Sequence, residues 1–294
     1  MFDIQEIYYR LLLIRKTEQK IEDLFSKGLL RGTTHGCIGQ EALPVALSYL
    51  IDLEHDFLCS GHRAHGLAVA FTGKPELIIG EIMGKSFGLA GGIGGSQHIF
   101  YKNFYTNGIT GGMVPVTTGL AFTLKHQDTK SIAVVVFGDG AMNEGYVMES
   151  FNLSIVLELP ILFILENNGF AMSTSVEYSS QTQNFEKRVK GFNIPYINVI
   201  ANDYFNLYTK LSESVQSVRE NRQPNFIEVI THRFCGHSKS DKRQYISKER
   251  DDWWKQNDCI KRIEDSLDKD IVLMINKEVN FKIEEVINYC LNHE

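Results

Sequence analysis

The chain has 294 residues, of which 43% are hydrophobic and 22% charged, with 24 glycines. This composition is that of a globular protein with enough apolar residues to bury a large core, and it excludes a disordered or fibrous chain. The 30 basic and 36 acidic residues give a net charge of -6 without long runs of like charge. We therefore expect no nucleic-acid partner.

The apolar stretches are all far shorter than the roughly 20 residues of a membrane span, so we expect no membrane association. The N-terminal segment has an acid, Asp3, where a signal peptide has a basic region, which favours a cytoplasmic protein. The cysteines are scattered and include no C-x-x-C pair; they are Cys37, Cys59, Cys235, Cys259 and Cys290. This pattern indicates neither a disulfide framework nor a structural zinc site.

The first part of the chain combines one helical pattern with a region rich in glycine. Apolar residues recur at helical spacing from about residue 3 to 27, and Gly28 follows where a helix would stop. We predict a helical N-terminal segment within residues 1–30. Most of the glycines lie between Gly32 and Gly119. Such a density is typical of loops whose backbone closely approaches a ligand.

The second part alternates short apolar runs with helical stretches. The runs are SIAVVVF, ILFIL, INVI and FIEVIT, helix-like segments cover 143–157 and 203–221, and a mostly helical tail covers 247–294. This alternation predicts an α/β fold with a parallel sheet and helices on both faces. Because no linker or repeat interrupts the pattern, we predict one domain, 1–294.

Two glycine motifs do not fit nucleotide-binding signatures. Gly84, Lys85 and Ser86 resemble the end of a P-loop, but Gly80 is one residue too close and a helix-like segment precedes it. The segment GGIGGSQ at 91–97 does not fit G-x-G-x-x-G, and no apolar strand precedes it. A nicotinamide-dependent dehydrogenase of the Rossmann type is therefore not favoured.

Polar residues directly follow two of the apolar runs. Asp139 lies in GDG after SIAVVVF, and Asn168 lies in NN after ILFIL. Each motif alone is more often a simple turn, but the carboxyl ends of parallel strands meet at one edge, so the two side chains can converge. A carboxylate and an amide oxygen suit Mg²⁺, and a helix N-terminus after the glycines would face a phosphate. The pair predicts a site for Mg²⁺ and a diphosphate.

The same residues resemble the thiamine diphosphate motif, GDG followed by NN. The stretch GDGAMNEGYVMESFNLSIVLELPILFILENNGFAMST is similar to the alpha subunit of the decarboxylating component of 2-oxo acid dehydrogenase complexes, of pyruvate, acetoin and branched-chain types. The similarity continues in order through HGCIGQEA, HRAHG, GGIGGSQH, KNFYTNGITGG and THRFCGHSKSD. It implies a thiamine diphosphate-binding α/β fold and an enzyme.

The resemblance also implies roles for individual residues. Asp139 and Asn168 would bind Mg²⁺ through their side chains and Phe170, at a position usually occupied by tyrosine, through its carbonyl. Catalytic roles fall on His35 and His237, with His237 also binding the cofactor in a mobile loop. The other implied cofactor-binding residues are His62, Arg63, Gly108, Thr110, Gly138, Gly140 and Ala141. His62 and His65, three positions apart, could form a metal pair on a helix, but no third ligand is near in sequence, so we consider them candidates for binding the cofactor or supporting a residue that does.

As a function, the resemblance implies the alpha subunit of a thiamine diphosphate- and Mg²⁺-dependent 2-oxo acid or acetoin dehydrogenase. It would convert its substrate to an enamine and transfer the acyl unit to lipoyl groups. A beta subunit would complete the active site in an α2β2 heterotetramer, with a lipoyl acyltransferase as a further partner. Two alternatives remain: a carboligase that transfers the acyl unit to an aldehyde or ketone, and a silent subunit, against which Asp139, Asn168 and Arg63 argue.

The chain departs from the family pattern near the predicted site. Ile93 replaces a basic residue that is common there, and Gln97 replaces the usual Met before His98. In the loop after His237, Lys242 stands where Pro is common. These differences bear on the choice of substrate and on docking of a lipoyl domain, and the sequence does not decide which 2-oxo acid is used.

Overall fold

The computed structural model of the chain describes residues 3–127, 129–180, 184–238 and 240–294. Lys239, in the predicted loop after His237, lies outside the described residues. In the described part, a seven-stranded sheet lies between two layers of helices, and a separate pair of short strands lies beside it. The predicted α/β fold class is confirmed.

The helices are α1 (Ile4–Ser26), α2 (Ala42–Ser48), α3 (His65–Thr72), α4 (Pro75–Met83), α5 (Met113–His126), α6 (Gly145–Val156), α7 (Val176–Ser180), α8 (Glu186–Lys190), α9 (Tyr204–Asn221), α10 (Lys248–Gln256), α11 (Cys259–Glu264) and α12 (Lys269–Asn292). The strands are β1 (Phe57–Ser60), β2 (Phe100–Tyr101), β3 (Phe104–Thr106), β4 (Ala133–Gly138), β5 (Ile161–Asn167), β6 (Phe170–Ala171), β7 (Thr174–Ser175), β8 (Tyr196–Ile200) and β9 (Asn225–Ile230). A short 3₁₀-helix, Asp139–Asn143, follows β4.

The strand order of the large sheet is β2, β3, β1, β4, β5, β9, β8. All neighbouring strands are parallel except β2 and β3. The carboxyl ends of β1, β4, β5 and β9 therefore lie along one edge, and Gly138 is in register with Glu166. This edge is where ligands bind in open α/β sheets.

Both faces of the sheet are buried, which explains the unbroken apolar runs. Along β4, Val134 and Val136 belong to one core cluster, whereas Val135 and Phe137 belong to another on the opposite face. Helices such as α1, α9 and α12 cover the first face, and α5 and α6 cover the second. A strand between two helix layers is therefore apolar at most of its positions.

The predicted helices at both ends of the chain are present. Asp3 caps α1 by accepting a hydrogen bond of 2.9 Å from the backbone N–H of Gln5. Gly28 follows the helix with a φ of 72°, a left-handed conformation that favours glycine. The predicted helical tail contains α10, α11 and α12, and α12 packs along α1.

The expectation of loops in the glycine-rich part is incomplete. It also contains α2 to α5 and β1 to β3, and the first three of these helices have only seven to nine residues. Gly73 and Gly84 end two of them in the left-handed conformation. Gly84 is thus the C-cap of α4, as expected for a segment that is not a P-loop.

Candidate active site

The carboxyl ends of β1, β4 and β5 border a cavity of about 430 Å³. The structure brings around it every residue for which the sequence predicts a role. They are His35, His62, Arg63, Gly108, Thr110, Gly138, Asp139, Gly140, Ala141, Asn168, Phe170 and His237. Residues from across the chain therefore meet at the edge of the sheet where Asp139 and Asn168 were expected to converge.

Asp139 is the most unusual group in this cavity. It begins the 3₁₀-helix after β4, its side chain is buried, and burial raises its pKa to about 6. Its Oδ2 atom has no hydrogen-bond partner among the described residues. A buried carboxylate oxygen without a partner is costly. The amide of Asn168 and the backbone carbonyl of Phe170 can complete a set of hard oxygen donors, so the residues present fit Mg²⁺.

The turn that contains Asn168 is stabilised by hydrogen bonds to neighbouring elements. Asn167, at the end of β5, donates from Nδ2 to Glu228 Oε1 at 2.6 Å and accepts at Oδ1 from the N–H of Gly169 at 2.9 Å. Gly169 has a φ of 84°. Arg250 donates to the carbonyl of Asn168 at 2.8 Å. The turn is therefore fixed by hydrogen bonds from several elements.

Beside the cavity, the backbone at Gly140 lies very close to Ala171. A Cβ atom at Gly140 would lie 2.6 Å from the Cβ of Ala171, so a side chain would require the neighbouring backbone to move. The helix expected after GDG is preceded by the 3₁₀-helix, and α6 begins only at Gly145. Any phosphate contact here would come from the first turn of that 3₁₀-helix.

Two guanidinium groups give the cavity positive charge. Arg63 donates to the carbonyl of Gly36 at 2.5 Å and to that of His237 at 3.2 Å. Arg233 donates to the hydroxyl of Tyr245 at 2.9 Å, and its Nε is buried without a partner among the described residues. Guanidinium groups suit phosphate oxygens, so this donor set fits a diphosphate.

Three imidazoles cluster beside these arginines. The ring of His35 lies 4.7 Å from that of His62 and 5.1 Å from that of His237, between centroids. Burial, reinforced by Arg63, lowers the pKa of His35 and His237 to about 4 and that of His62 to about 3. All three rings are therefore neutral at pH 7.

Hydrogen bonding selects the tautomer of two of these rings. The Nδ1 atom of His237 lies 3.4 Å from Arg63 and 3.4 Å from Arg233, and guanidinium groups can only donate. The Nδ1 atom of His35 accepts from the side-chain amide of Gln97 at 3.1 Å. In both rings the remaining proton is therefore on Nε2, and each presents a neutral N–H donor.

The histidine cluster is not organised as a metal centre. Its candidate ligand atoms lie within 4.8 Å of one another, but a metal ion on His237 Nε2 would move the ring proton to Nδ1, against two guanidiniums. His62 and His65, for which the sequence offered no third metal ligand, are separated in the structure: His62 lines the cavity, whereas His65 does not. His65 is fully buried, and its ring nitrogens contact Glu18 at 3.1 Å and Ser96 at 2.7 Å.

Sequence reasoning assigned no role in the site to several polar residues of the cavity, among them Glu166, Arg233 and Gln97. Burial raises the pKa of Glu166 to about 8. Glu166 is near the end of β5 and Arg233 follows β9, so the strand-end rule that singled out Asp139 could have found both. Gln97 has no such signal because no long strand precedes it.

Within the described residues, no helix has the length and apolar character needed to cross a membrane.

A cavity of this kind at the carboxyl edge of a parallel sheet is typical of α/β enzymes that bind a phosphorylated ligand. The family model described as "Dehydrogenase E1 component" matches residues 9–291, and the chain belongs to this family. The chain is thus an alpha component of a thiamine diphosphate-dependent 2-oxo acid dehydrogenase, as its sequence motifs predicted.

Several curated relatives share the name "Pyruvate dehydrogenase E1 component subunit alpha". The protein from Zymomonas mobilis is 35% identical over 258 residues, covering 87% of this chain and 73% of its own length. The protein from Rickettsia bellii is 34% identical over 287 residues, covering 94% and 86%. That from Rhizobium meliloti is 37% identical over 250 residues, covering 84% and 72%. These relatives give no support to the carboligase alternative.

Proposed function

We propose that the chain forms the diphosphate- and metal-binding half of a pyruvate dehydrogenase active site. The observation that supports this most strongly is the buried Oδ2 atom of Asp139, which has no hydrogen-bond partner in the described part of the chain and lies in a cavity that also contains Asn168. In the proposal, Mg²⁺ is bound by the side chains of Asp139 and Asn168 and by the carbonyl of Phe170. The names of the relatives favour pyruvate as the 2-oxo acid.

The remaining cavity residues would hold and orient the cofactor. Arg63 and Arg233 would bind the diphosphate oxygens, together with the backbone N–H groups of Gly140 and Ala141 next to Gly138. Gly108 and Thr110 would contact the pyrimidine ring through their backbone, and His62 would pack against the cofactor. When bound, thiamine diphosphate supplies the electron sink for decarboxylation.

The Nε2–H groups of His35 and His237 are this chain's contribution to proton transfer in the proposed reaction. His35 and His237 are neutral at pH 7 and both line the cavity. A neutral imidazole can donate a hydrogen bond to an oxygen on which negative charge develops, and can deliver its proton. We assign this role to Nε2 of both rings.

The proposal includes partners. The relatives are named as alpha subunits, which supports a beta subunit that completes the site in an α2β2 assembly. The acyl unit would then pass to the lipoyl groups of an acyltransferase. We place the chain, as a single domain of residues 1–294, in the cytoplasm.

The metal assignment is tested by the substitution Asp139→Asn. The amide keeps the shape of the side chain but removes its charge. In the assembly with the beta subunit, we expect the affinity for thiamine diphosphate with Mg²⁺ to fall about 100-fold by calorimetry, or about 3 kcal/mol. Asp265→Asn, at an exposed position, is the matched control. Unchanged affinity of Asp139→Asn would contradict the metal site.

Turnover tests the substrate class. The wild-type assembly is supplied with thiamine diphosphate, Mg²⁺ and an artificial electron acceptor, and is assayed with pyruvate, branched 2-oxo acids and acetoin. We expect cofactor-dependent reduction with pyruvate. No turnover on any of these substrates, with the cofactor bound, would refute the dehydrogenase proposal.

A further inference from the structure

A buried carboxylate organises the segment Ala90 to His98, which we call the glycine loop. Glu81 lies on α4 and is fully buried. Its two oxygens accept four backbone hydrogen bonds, from Ala90 at 2.7 Å, Gly92 at 2.9 Å, Gly94 at 2.7 Å and Gly95 at 3.0 Å. Among the described residues, no lysine or arginine forms an ion pair with Glu81.

The glycines of this loop follow from its wrapping around Glu81. Gly92 and Gly95 have φ values of 76° and 61°, where other residues are strained. Successive backbone N–H groups in such conformations form a concave anion site. Here the anion is the protein's own carboxylate. This accounts for a glycine pattern that fits no nucleotide-binding motif.

The end of the glycine loop reaches the candidate active site. Ser96 hydrogen-bonds to the buried ring of His65 at 2.7 Å. The next residue, Gln97, donates from its side chain to Nδ1 of His35 at 3.1 Å, and its backbone carbonyl accepts from Thr106 at 2.7 Å. The loop is therefore held on both sides of the point where it contacts His35.

We propose that Gln97 is a positioning residue that keeps the proton of His35 on Nε2. In this proposal, Glu81 holds the glycine loop in the conformation that brings the side chain of Gln97 to His35. The inference rests on the proposed function, in which His35 contacts the reacting substrate. The amide of Gln97 fits tightly, because a Cβ atom at Gly108 would lie 2.5 Å from its Oε1. The amide therefore packs closely against the backbone at Gly108.

The other groups around His35 do not fix its tautomer. The charged and titratable groups facing it are Arg63, Arg233, His62, His65 and His237. All of these are basic, so they disfavour a charged ring without selecting one ring nitrogen over the other. The hydrogen bond from Gln97 supplies that selection.

The first test is Gln97→Glu, which is isosteric but reverses the hydrogen bond. The carboxylate would accept from Nδ1–H of His35, so the neutral ring would carry its proton on Nδ1 instead of Nε2. The negative charge beside the ring would also raise the pKa of His35. In the complete assembly we expect kcat to fall about 100-fold and the acid limb of its pH profile to move up by about one to two pH units. Thiamine diphosphate affinity should change by less than about threefold.

Two further variants separate this effect from structural damage. Gln97→Met keeps the approximate size of the side chain but removes its amide, and with it the donor to His35, without adding charge. We expect kcat to fall about tenfold without a shift of the pH profile. Gln5→Glu makes the same chemical change at an exposed position of α1 and should leave both kcat and its pH profile unchanged. A Gln97→Glu profile that superimposes on that of the wild type would overturn the tautomer assignment.

The role of Glu81 is tested by hydrogen exchange. In Glu81→Gln, backbone amides of 90–98 should exchange at least about tenfold faster, because the amide presents an N–H₂ group to N–H donors. Glu76→Gln, in the first turn of the same helix, is the control. Unchanged hydrogen exchange in residues 90–98 would overturn the proposed role of Glu81. An inactive wild-type assembly would instead contradict the proposed function, whereas an active one with unchanged variants would contradict only this inference.

Discussion

The carboxylate of Glu228 offers the sharpest test of how the site is supported. It lies on β9, fully buried, and accepts from Asn167 at 2.6 Å, from the N–H of Phe185 at 3.1 Å and from the hydroxyl of Tyr196 at 2.5 Å. Among the described residues no basic side chain pairs with it. Its negative charge is therefore stabilised by three neutral donors. We predict that Glu228→Gln destabilises the protein by about 3 kcal/mol.

The magnitude follows from the three hydrogen bonds. Hydrogen bonds to a charged group each contribute about 1.5–3 kcal/mol, and a glutamine offers one acceptor oxygen and an N–H₂ group that faces a donor. One bond is lost and the remaining two lose their charge assistance. Tyr196→Phe removes a single donor and leaves Glu228 with two, so it should cost only about 1 kcal/mol.

Calorimetric unfolding of the assembled protein measures both effects. At about 2–4 °C per kcal/mol for a domain near this size, Glu228→Gln should lower the melting temperature by about 6 °C or more. Glu285→Gln, at an exposed position of α12, should leave it unchanged. A Glu228→Gln variant that melts within about 1 °C of the wild type would refute the view that a charged Glu228 holds Asn167.

Two further predictions concern histidines. His237→Ala should lower kcat about 100-fold while changing thiamine diphosphate affinity far less, because in the proposed function its ring donates Nε2–H to the reacting group; equal losses would make it a binding residue instead. Burial lowers the pKa of His232 to about 4, so the unfolded chain binds its proton more readily and stability falls as the pH drops from about 6.5 toward 4, by up to about 3 kcal/mol. His232→Gln should flatten the decline of melting temperature over that pH range, and an unchanged slope would contradict this.

The sequence predicts the second half of the fold much better than the first. The runs that form β4, β5 and β9 are apolar at most positions because both of their faces are buried. In contrast, β1 has four residues and includes Cys59 and Ser60, so it lacks such a signal. Its place beside β4 depends on packing between distant segments.

The residues of the candidate site likewise fall into those that the sequence predicts and those that it does not. Asp139 and Asn168 could be predicted because each follows a strand whose end lies at a known edge. Glu228 and Glu81 could not, because a carboxylate within an apolar strand or helix gives no local indication of its partners. Asn167 is 61 residues from Glu228 in the sequence, and only the folded sheet brings them together.

The distribution of charge explains why the cavity suits an anionic ligand. The buried carboxylates of Glu81 and Glu228 are stabilised by backbone N–H groups and neutral side chains. Arg63 and Arg233 donate to carbonyls and a hydroxyl, and neither forms an ion pair with a carboxylate in the described part of the chain. If acids beneath the site had paired with these arginines, its positive charge would be neutralised. Because they fix the loops through neutral donors instead, the guanidinium charges stay available to bind a diphosphate.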